Sequence, residues 1–331
     1  MSSGIGGIHH VTAIAGDPQR NIDFYAGVLG LRLVKRTVNF DDPGSWHFYY
    51  GDETGTPGTI LTFFAWPGAP RGRHGPGQLT VTSFSIAPES MAWWVDRLTA
   101  AGVEPKGPYS RFQEEVLDFA DQDGLRLELV ADAGADLRPG WAGGPVPPEH
   151  ALRGFHGVTL TVEGCERTAE LLHGHMGFAE GPSTGGRFRF TIGEGTALAR
   201  VDVLCQPDGR PGTMGAGTVH HVAWRVADDA SQVAWRARLA DRGLNLTPVL
   251  DRQYFHSFYF REPGGVLFEI ATDAPGFLVD ESLEELGSRL RLPPWLEGRR
   301  DSIERALPPA GPPFCSGARG LGMARSDPSG S

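Results

Sequence analysis

The sequence predicts an α+β fold built from four β-α-β-β-β modules. The opening strand, GGIHHVTAIAG, closely matches a strand near residue 220, GTVHHVAWRVA, and weaker copies lie near residues 80 and 155. A helical segment and several short strands follow each copy. The same number of residues separates Arg111 from Glu128 in the second copy and Arg252 from Glu269 in the fourth. This agreement in element order and spacing indicates a true internal repeat.

The helix of each module has recognisable start and stop residues. In the first module Asp17 is the expected N-cap, Pro18 the first helical residue and Gly30 the stop. After each of the other helices the chain reaches a glycine within two residues, which favours a left-handed C-terminal cap. Those helices are predicted over Ser90–Ala101, Cys165–His175 and Ala230–Asp241.

A segment rich in Gly, Pro and Ala divides the four modules into two halves. The first and second modules form a predicted N-terminal domain over residues 5–131, and the third and fourth form a C-terminal domain over residues 154–273. Residues 132–153 are the predicted linker. Residues 274–331 are predicted to form a C-terminal tail with one helix, over Asp280–Leu290.

Composition and charge exclude several classes of partner. The 331 residues carry a formal net charge of −10 with no run of Lys or Arg, which argues against nucleic acid and against an anionic membrane surface. No apolar run is long enough to span a bilayer, and the N-terminus lacks the features of a signal peptide. Cys165, Cys205 and Cys315 show neither CxxC nor disulfide-framework spacing. We therefore expect a cytoplasmic protein with buried thiols.

The most informative stretch is Thr218–Asp273, because it contains a carboxylate in an apolar strand. Glu269 lies within VLFEI, where ionisation is costly unless a cation or dense hydrogen bonding compensates it. Taken alone, this residue fits a buried salt bridge. The same module also opens with His220 and His221, which favours a metal site. Two imidazoles and one carboxylate, with other positions open, are typical of non-haem Fe(II) oxygenases.

The third ligand has two candidates, His10 and His156. His10 lies in the strand that repeats the HHV of the fourth module, and His156 lies in GFHGVTL of the third. We favour His10, because its neighbour His9 repeats His220 and a doublet supplies both a ligand and a supporting group. Strand alternation puts His9 and His10 on opposite faces, so His9 reaches the site only through an irregularity in the strand. Any one of these histidines alone also fits a hydrogen-bonded core or surface residue.

Other polar residues are candidates for contacts with a substrate. Arg252 and Tyr259 lie on the hairpin of the fourth module and are suited to hold an anionic oxygen or exchange a proton near a metal. The alternative is an ordinary surface arginine and a packing tyrosine. Thr12, two residues after the first histidine doublet, is a candidate pocket hydroxyl. His47 and His74 have no evident partner and are predicted to be structural.

The modules and their motifs resemble the vicinal oxygen chelate superfamily, which includes glyoxalases, bleomycin-resistance proteins and extradiol dioxygenases. Within it, the chain looks like the ring-cleaving dioxygenases that act on hydroquinones and chlorinated hydroquinones. The resemblance extends from about residue 5 to about residue 310. The motifs that carry it are IHHVTAIAG, DFYAGVLGLRLVKRTVNFDD, GTPGTILTFF, RGFHGVTL, VHHVAWRV, DRQYFHSFYFREPGGVLFEIATD and Gly276-Phe277.

The resemblance implies two paired half-barrel domains and an Fe(II) ion held by His10, His221 and Glu269, with Mn(II) as the other candidate metal. It also implies a small aromatic substrate that reacts with O2, and we expect a homo-oligomer. Catechol-cleaving relatives would instead place the ligands at His156, His221 and Glu269. Roles beside the substrate or the ligands are implied for His9, Thr12, His220, Arg252 and Tyr259.

Two other classes of function share this fold and stay open at this point. A glyoxalase-like metal-dependent isomerase or transferase usually needs only two modules and carries different ligands. A non-catalytic small-molecule binding protein, of the drug-resistance kind, would lack the metal ligands. Because all three classes share the scaffold, the residues of the site must separate them.

Overall fold

The computed structural model describes residues 4–131, 138–193 and 198–313. These residues form four β-α-β-β-β modules, which confirms the predicted α+β plan. The first module contains β1 (Ile8–Ala15), α1 (Pro18–Ile22), β2 (Arg32–Asn39), β3 (Asp42–Gly51) and β4 (Ile60–Ala65). The second contains β5 (Gln78–Ile86), α2 (Met91–Ala100), β6 (Lys106–Arg111), β7 (Glu114–Ala120) and β8 (Arg126–Ala131).

The third and fourth modules repeat the same order of elements. The third contains β9 (Phe155–Val162), α3 (Glu166–Ala169), β10 (Ala179–Thr184), β11 (Arg187–Ile192) and β12 (Ala199–Cys205). The fourth contains β13 (Thr218–Val226), α4 (Asp229–Ala240), β14 (Leu250–Asp251), β15 (Phe255–Arg261) and β16 (Leu267–Pro275). Two short helices, α5 (Pro294–Glu297) and α6 (Arg300–Ala306), follow in the tail.

The residues predicted to begin and end the first helix have the expected conformations and contacts. The Asp17 carboxylate accepts a hydrogen bond of 2.8 Å from the Arg20 backbone N–H, and Pro18 opens α1. Gly30 follows with a φ of 72°, a left-handed conformation that favours glycine. The helices of the first and third modules continue as π-helical turns over Asp23–Val28 and Glu170–His175. Short 3₁₀ turns lie at Pro88–Ser90, Pro148–His150 and Phe277–Val279.

The modules combine into two curled eight-stranded sheets, and each sheet takes one module from each half of the chain. The first sheet joins the first and fourth modules in the order β14-β15-β16-β13-β1-β4-β3-β2. The second sheet joins the second and third modules in the order β10-β11-β12-β9-β5-β8-β7-β6. The antiparallel pairs β1–β13 and β5–β9 make the two joins. The division at residues 132–153 therefore does not separate the sheets.

One face of each sheet packs into a common hydrophobic core. In β1, the fully buried Val11, Ala13 and Ala15 belong to this core. Trp94 of α2 and Trp224 of β13 are completely buried in it. Burial of such large apolar side chains is the main stabilising contribution that the sheets receive. The opposite face of the first sheet carries buried polar side chains together with a second, smaller apolar cluster that includes Ile60, Ala223 and Ala271.

The tail does not form the predicted helix over Asp280–Leu290. The chain makes turns there instead, and its helices are α5 and α6 further on. The fully buried Lys35 ammonium on β2 contacts the carboxylates of both Asp280 and Glu281 and fixes this segment against the first sheet. At Gly287, with a φ of 72°, an added Cβ would collide with the Leu33 carbonyl oxygen. These contacts with β2 override the local preference for a helix.

The paired cysteines differ from the expectation of buried free thiols. Cys165 and Cys205 are joined by a disulfide rather than being free thiols. Val162 of β9 pairs with Cys205 of the parallel strand β12, and Cys165 follows three residues later, so the two Cα atoms are only 5.6 Å apart. Cys315 lies outside the described residues. Among the described residues, no helix is both long and apolar enough to cross a membrane.

The buried ammonium predicts how strongly the tail is anchored. We expect Lys35→Met to lower the free energy of unfolding by about 3 kcal/mol, because it leaves the buried Glu281 carboxylate without its main partner. Urea unfolding measures this change. Arg289→Ala is the control, since its ion pair with Glu285 is exposed and is worth less than about 1 kcal/mol. Equal effects of the two substitutions would contradict the anchoring role.

Candidate metal centre

Three side chains predicted as ligands converge on the face of the first sheet opposite the common hydrophobic core. Glu269 Oε2 lies 2.9 Å from His221 Nε2 and 3.3 Å from His10 Nε2, and the two histidine Nε2 atoms are 3.2 Å apart. Glu269 is fully buried, and the two histidines are almost fully buried. We call these residues the His10–His221–Glu269 trio. Their ligand atoms all lie within 4.8 Å of one another, close enough together to hold one metal ion.

The register of three adjacent strands produces this convergence. His10 of β1 pairs with Ala223 of β13, and Ala223 pairs with Glu269 of β16. His10 and Glu269 therefore flank Ala223 in one row across the sheet. His221 lies two residues before Ala223 on the same face, opposite Thr12.

His9 fixes the orientation of the His10 ring. Its Nε2 lies 3.1 Å from the Thr272 carbonyl oxygen, which only accepts, so this nitrogen carries the proton. Its Nδ1 is then an acceptor for the His10 Nδ1–H, 2.9 Å away. This leaves the His10 Nε2 lone pair facing Glu269. The irregularity that such a contact requires is present as a register shift between Ile8 and His10.

His220 makes the same contact with His221. Their Nδ1 atoms are 2.7 Å apart, which repeats the geometry of the first doublet. Burial, followed by the nearby His221, lowers the pKa of His220 to about 3, so this ring is neutral and has one acceptor nitrogen. With His221 Nδ1–H as the donor, the His221 Nε2 lone pair also faces Glu269. A hydrogen bond to the second nitrogen is the usual way in which proteins orient a metal-binding histidine.

The trio fits a divalent cation because its facing atoms are all acceptors. Within the described residues, neither oxygen of the Glu269 carboxylate receives a hydrogen bond. Burial opposes ionisation of this carboxyl, and its pKa falls well below the ordinary value only when positive charge faces it from His10 and His221; with the ring protons on Nδ1, a cation would have to supply that charge. An ionised, buried carboxylate beside two imidazole lone pairs is a strongly unfavourable arrangement unless a cation lies among them. Two nitrogens and one oxygen suit a first-row divalent metal with open positions.

A cavity of about 40 Å³ adjoins His10 and His221. Thr12, predicted as a pocket hydroxyl, lines it. The turn between β2 and β3 also lines it, and there the exposed Asp41 carboxylate pairs with the Arg252 guanidinium at 3.1 Å. Binding sites for small molecules are typically several hundred Å³ in volume, so this cavity is smaller than a typical substrate site.

Tyr259 and Arg252, the candidates for substrate contacts on the hairpin of the fourth module, both line this cavity. Tyr259 pairs with Glu269 across β15 and β16, and the Arg252 guanidinium lies 5.4 Å from the centre of its ring. Burial and the Glu269 charge raise the pKa of Tyr259, so its hydroxyl keeps its proton. The Ser257 hydroxyl donates to that oxygen at 3.2 Å.

His156, the alternative third ligand, lies in the second sheet and is not part of the trio. Its Nε2 is 3.0 Å from the Glu114 carboxylate, which also accepts from the Arg189 guanidinium at 2.7 Å. The third module pairs with the second and not with the fourth, and this pairing keeps His156 away from Glu269.

Sequence reasoning missed His47, which lines the cavity, and Thr62, which is hydrogen-bonded to two of the residues that line it. His47 was predicted to be structural, yet it lines the cavity, and its Nε2 lies 2.9 Å from the Thr62 hydroxyl. Thr62 pairs with Thr12 across β1 and β4, as Glu269 pairs with Ala223 across the matching strands of the fourth module. Aligning the first module with the fourth by its last strand would have identified Thr62.

Comparisons with known proteins agree with this architecture. The chain matches the Glyoxalase/Bleomycin resistance protein/Dioxygenase superfamily over residues 7–129 and 154–270. A crystal structure titled "putative dioxygenase from Bacillus subtilis subsp. subtilis str. 168" superposes with a TM-score of 0.89 and 47% sequence identity, covering 93% of this chain and 98% of that one.

Curated relatives cover almost the whole chain. A protein of Bacillus subtilis (strain 168) named "Putative ring-cleaving dioxygenase MhqO" is 49% identical over 303 residues, which are 92% of this chain and 96% of that protein. The Chlorohydroquinone/hydroquinone 1,2-dioxygenase of Sphingobium indicum is 36% identical over 310 residues, or 91% and 95% of the two chains. The chain therefore belongs to the glyoxalase, bleomycin resistance protein and dioxygenase superfamily.

Proposed function

We propose that this protein is a metal-dependent dioxygenase that opens the ring of a hydroquinone or a related dihydroxylated aromatic compound with O2. The observation that carries the proposal is the His10–His221–Glu269 trio, whose acceptor atoms meet beside a cavity. The named activities of the relatives support the choice of reaction. We propose Fe(II) as the metal, with Mn(II) as the alternative, because two imidazoles and a carboxylate suit both ions.

The residues around the trio have separate roles in this proposal. A bound metal would supply the redox chemistry that allows an aromatic ring and O2 to react. His9 and His220 orient the two imidazoles. Arg252 is suited to hold an anionic oxygen of the substrate, since its guanidinium is permanently charged. Tyr259, which keeps its proton, is a hydrogen-bond donor for a second oxygen.

The remaining polar groups of the cavity match a dihydroxylated ring. Thr12, which pairs with His221 across β1 and β13, is a neutral donor, and Phe64 and Phe255 are apolar walls for a planar ring. The turn at Asn39–Asp41 lines the cavity and would exclude water once the ring is inside. A non-catalytic binding protein has no need of three converging acceptors, so the trio favours the enzyme over that alternative. A cytoplasmic location and a homo-oligomeric state are also part of the proposal.

Metal loading tests the proposed ligands. We expect anaerobic addition of Fe(II) to raise the melting temperature of the wild type, because a ligand at 100 times its Kd stabilises the folded state by about 2.7 kcal/mol. Glu269→Gln and His10→Ala should lose both this shift and O2 uptake with hydroquinone. His156→Ala is the control and should keep both. Loss in His156→Ala with retention in His10→Ala would overturn the ligand assignment.

The ion pair at the cavity tests the role of Arg252. We expect Asp41→Asn to lower the KM for hydroquinone about threefold. In the wild type the substrate must displace the Asp41 carboxylate from the Arg252 guanidinium, and this exposed ion pair is worth up to about 1 kcal/mol. Steady-state O2 uptake measures the KM, and kcat should stay unchanged. Asp229→Asn is the control, since Asp229 pairs with His256 in a similarly exposed ion pair. An unchanged KM in Asp41→Asn would contradict this role.

A further inference from the structure

A chain of hydrogen bonds borders the cavity on the side of the first module. The Tyr49 hydroxyl lies 3.1 Å from His47 Nδ1, and His47 Nε2 lies 2.9 Å from the Thr62 hydroxyl. The Thr62 hydroxyl in turn donates to the Thr12 oxygen at 2.9 Å. The chain crosses three neighbouring strands, from β3 through β4 to β1. Both threonines are completely buried, so bulk water does not compete for these hydrogen bonds.

The protons in this chain of hydrogen bonds are all donated in one direction. Thr62 has a single hydroxyl proton and gives it to Thr12, so its oxygen can only accept from His47. His47 must therefore carry its proton on Nε2 and accept from the Tyr49 hydroxyl at Nδ1. Burial, and then the nearby His10, lowers the pKa of His47 well below its ordinary value, which agrees with a neutral ring.

Thr62 occupies a special position in the sheet. It pairs with Thr12 between the parallel strands β1 and β4, and Glu269 pairs with Ala223 between the parallel strands β13 and β16. The first and fourth modules are copies, so Thr62 stands where a second carboxylate would face the trio. It brings a neutral hydroxyl instead, and the proton of that hydroxyl is already committed to Thr12.

The last member of the chain of hydrogen bonds is the Thr12 hydroxyl. Its oxygen receives the Thr62 proton, and its own proton is left for an acceptor in the cavity that it lines together with His10 and His221. An anionic oxygen of the substrate would be such an acceptor. A donor that is itself hydrogen-bonded in a directed chain is polarised and held in one rotamer.

We propose that Thr62 and His47 are positioning residues, which hold the Thr12 hydroxyl so that it donates to an anionic oxygen of the aromatic substrate. The inference rests on the proposed ring-cleaving function of the trio. It assigns a role to two residues whose hydrogen bonds, as the described residues show them, go to Tyr49, to Thr12 and to each other. The order of action is Tyr49, His47, Thr62 and then Thr12, and each member acts only through the next.

Substitutions of matched shape test this order. Thr62→Val keeps the volume and removes the donor, so we expect kcat for hydroquinone cleavage to fall about 10-fold to 100-fold, with KM changed by less than about threefold. Thr62→Ser restores the hydroxyl and should stay within about threefold of wild-type kcat. His47→Leu should match Thr62→Val. Because the two residues act in series, the double substitution should lower kcat no further than either single one.

Controls separate positioning from folding and from metal binding. Thr161→Val removes a buried threonine hydrogen bond of 2.6 Å to Thr80 in the second sheet and should leave kcat unchanged. Iron content and melting temperature are measured for every variant. If Thr62→Val keeps wild-type kcat, loses its iron, or falls no further than Thr62→Ser, the positioning role is wrong. If the wild type itself cleaves no ring, the proposed function fails and this inference falls with it.

Discussion

The antiparallel pairing of β1 with β13 is the contact on which both the first sheet and the candidate site depend. It joins modules from opposite ends of the chain and pairs His10 with Ala223. The parallel pairing of β13 with β16 then places Glu269 next to the same residue. A slip of one residue in either pair would turn these side chains to the core face, so the trio exists only in this register. The register shift beside His10 also lets His9 contact its neighbour.

The His10–His221–Glu269 trio is an energetically unfavourable arrangement when no metal is bound. His9 and His220 direct two imidazole lone pairs towards a fully buried carboxylate whose oxygens receive no hydrogen bond within the described residues. Such a cluster costs several kcal/mol, because burial removes water from a charge without providing a counter-ion. A cation among the three atoms would convert mutual repulsion into attraction. The orientation by His9 and His220 is therefore as important to the site as the ligands themselves.

Local patterns account for what could be predicted from the sequence. A carboxylate inside an apolar strand and a repeated histidine doublet identify Glu269 and His10, and helix caps and strand order identify the four modules. The choice between His10 and His156 depends on which modules share a sheet, and strand patterns do not contain that information. Thr62 was missed because its position has meaning only in the β1–β4 register. The prediction of a helix over Asp280–Leu290 was wrong because Lys35, a residue distant in the sequence, holds that segment against the first sheet.

The two sheets differ in how they compensate a buried carboxylate at the same position of the strand register. In the second sheet Glu128 pairs with Ser83 in the same parallel register in which Glu269 pairs with Ala223. There, however, the Arg111 guanidinium binds the carboxylate through two hydrogen bonds of 2.8 and 2.6 Å. Because Arg111 neutralises the charge of the Glu128 carboxylate, this carboxylate does not need a bound cation. In the first sheet Arg252 holds the matching place in the sequence but pairs with the exposed Asp41 instead. Its guanidinium is kept at the cavity, and the Glu269 carboxylate stays available to a metal.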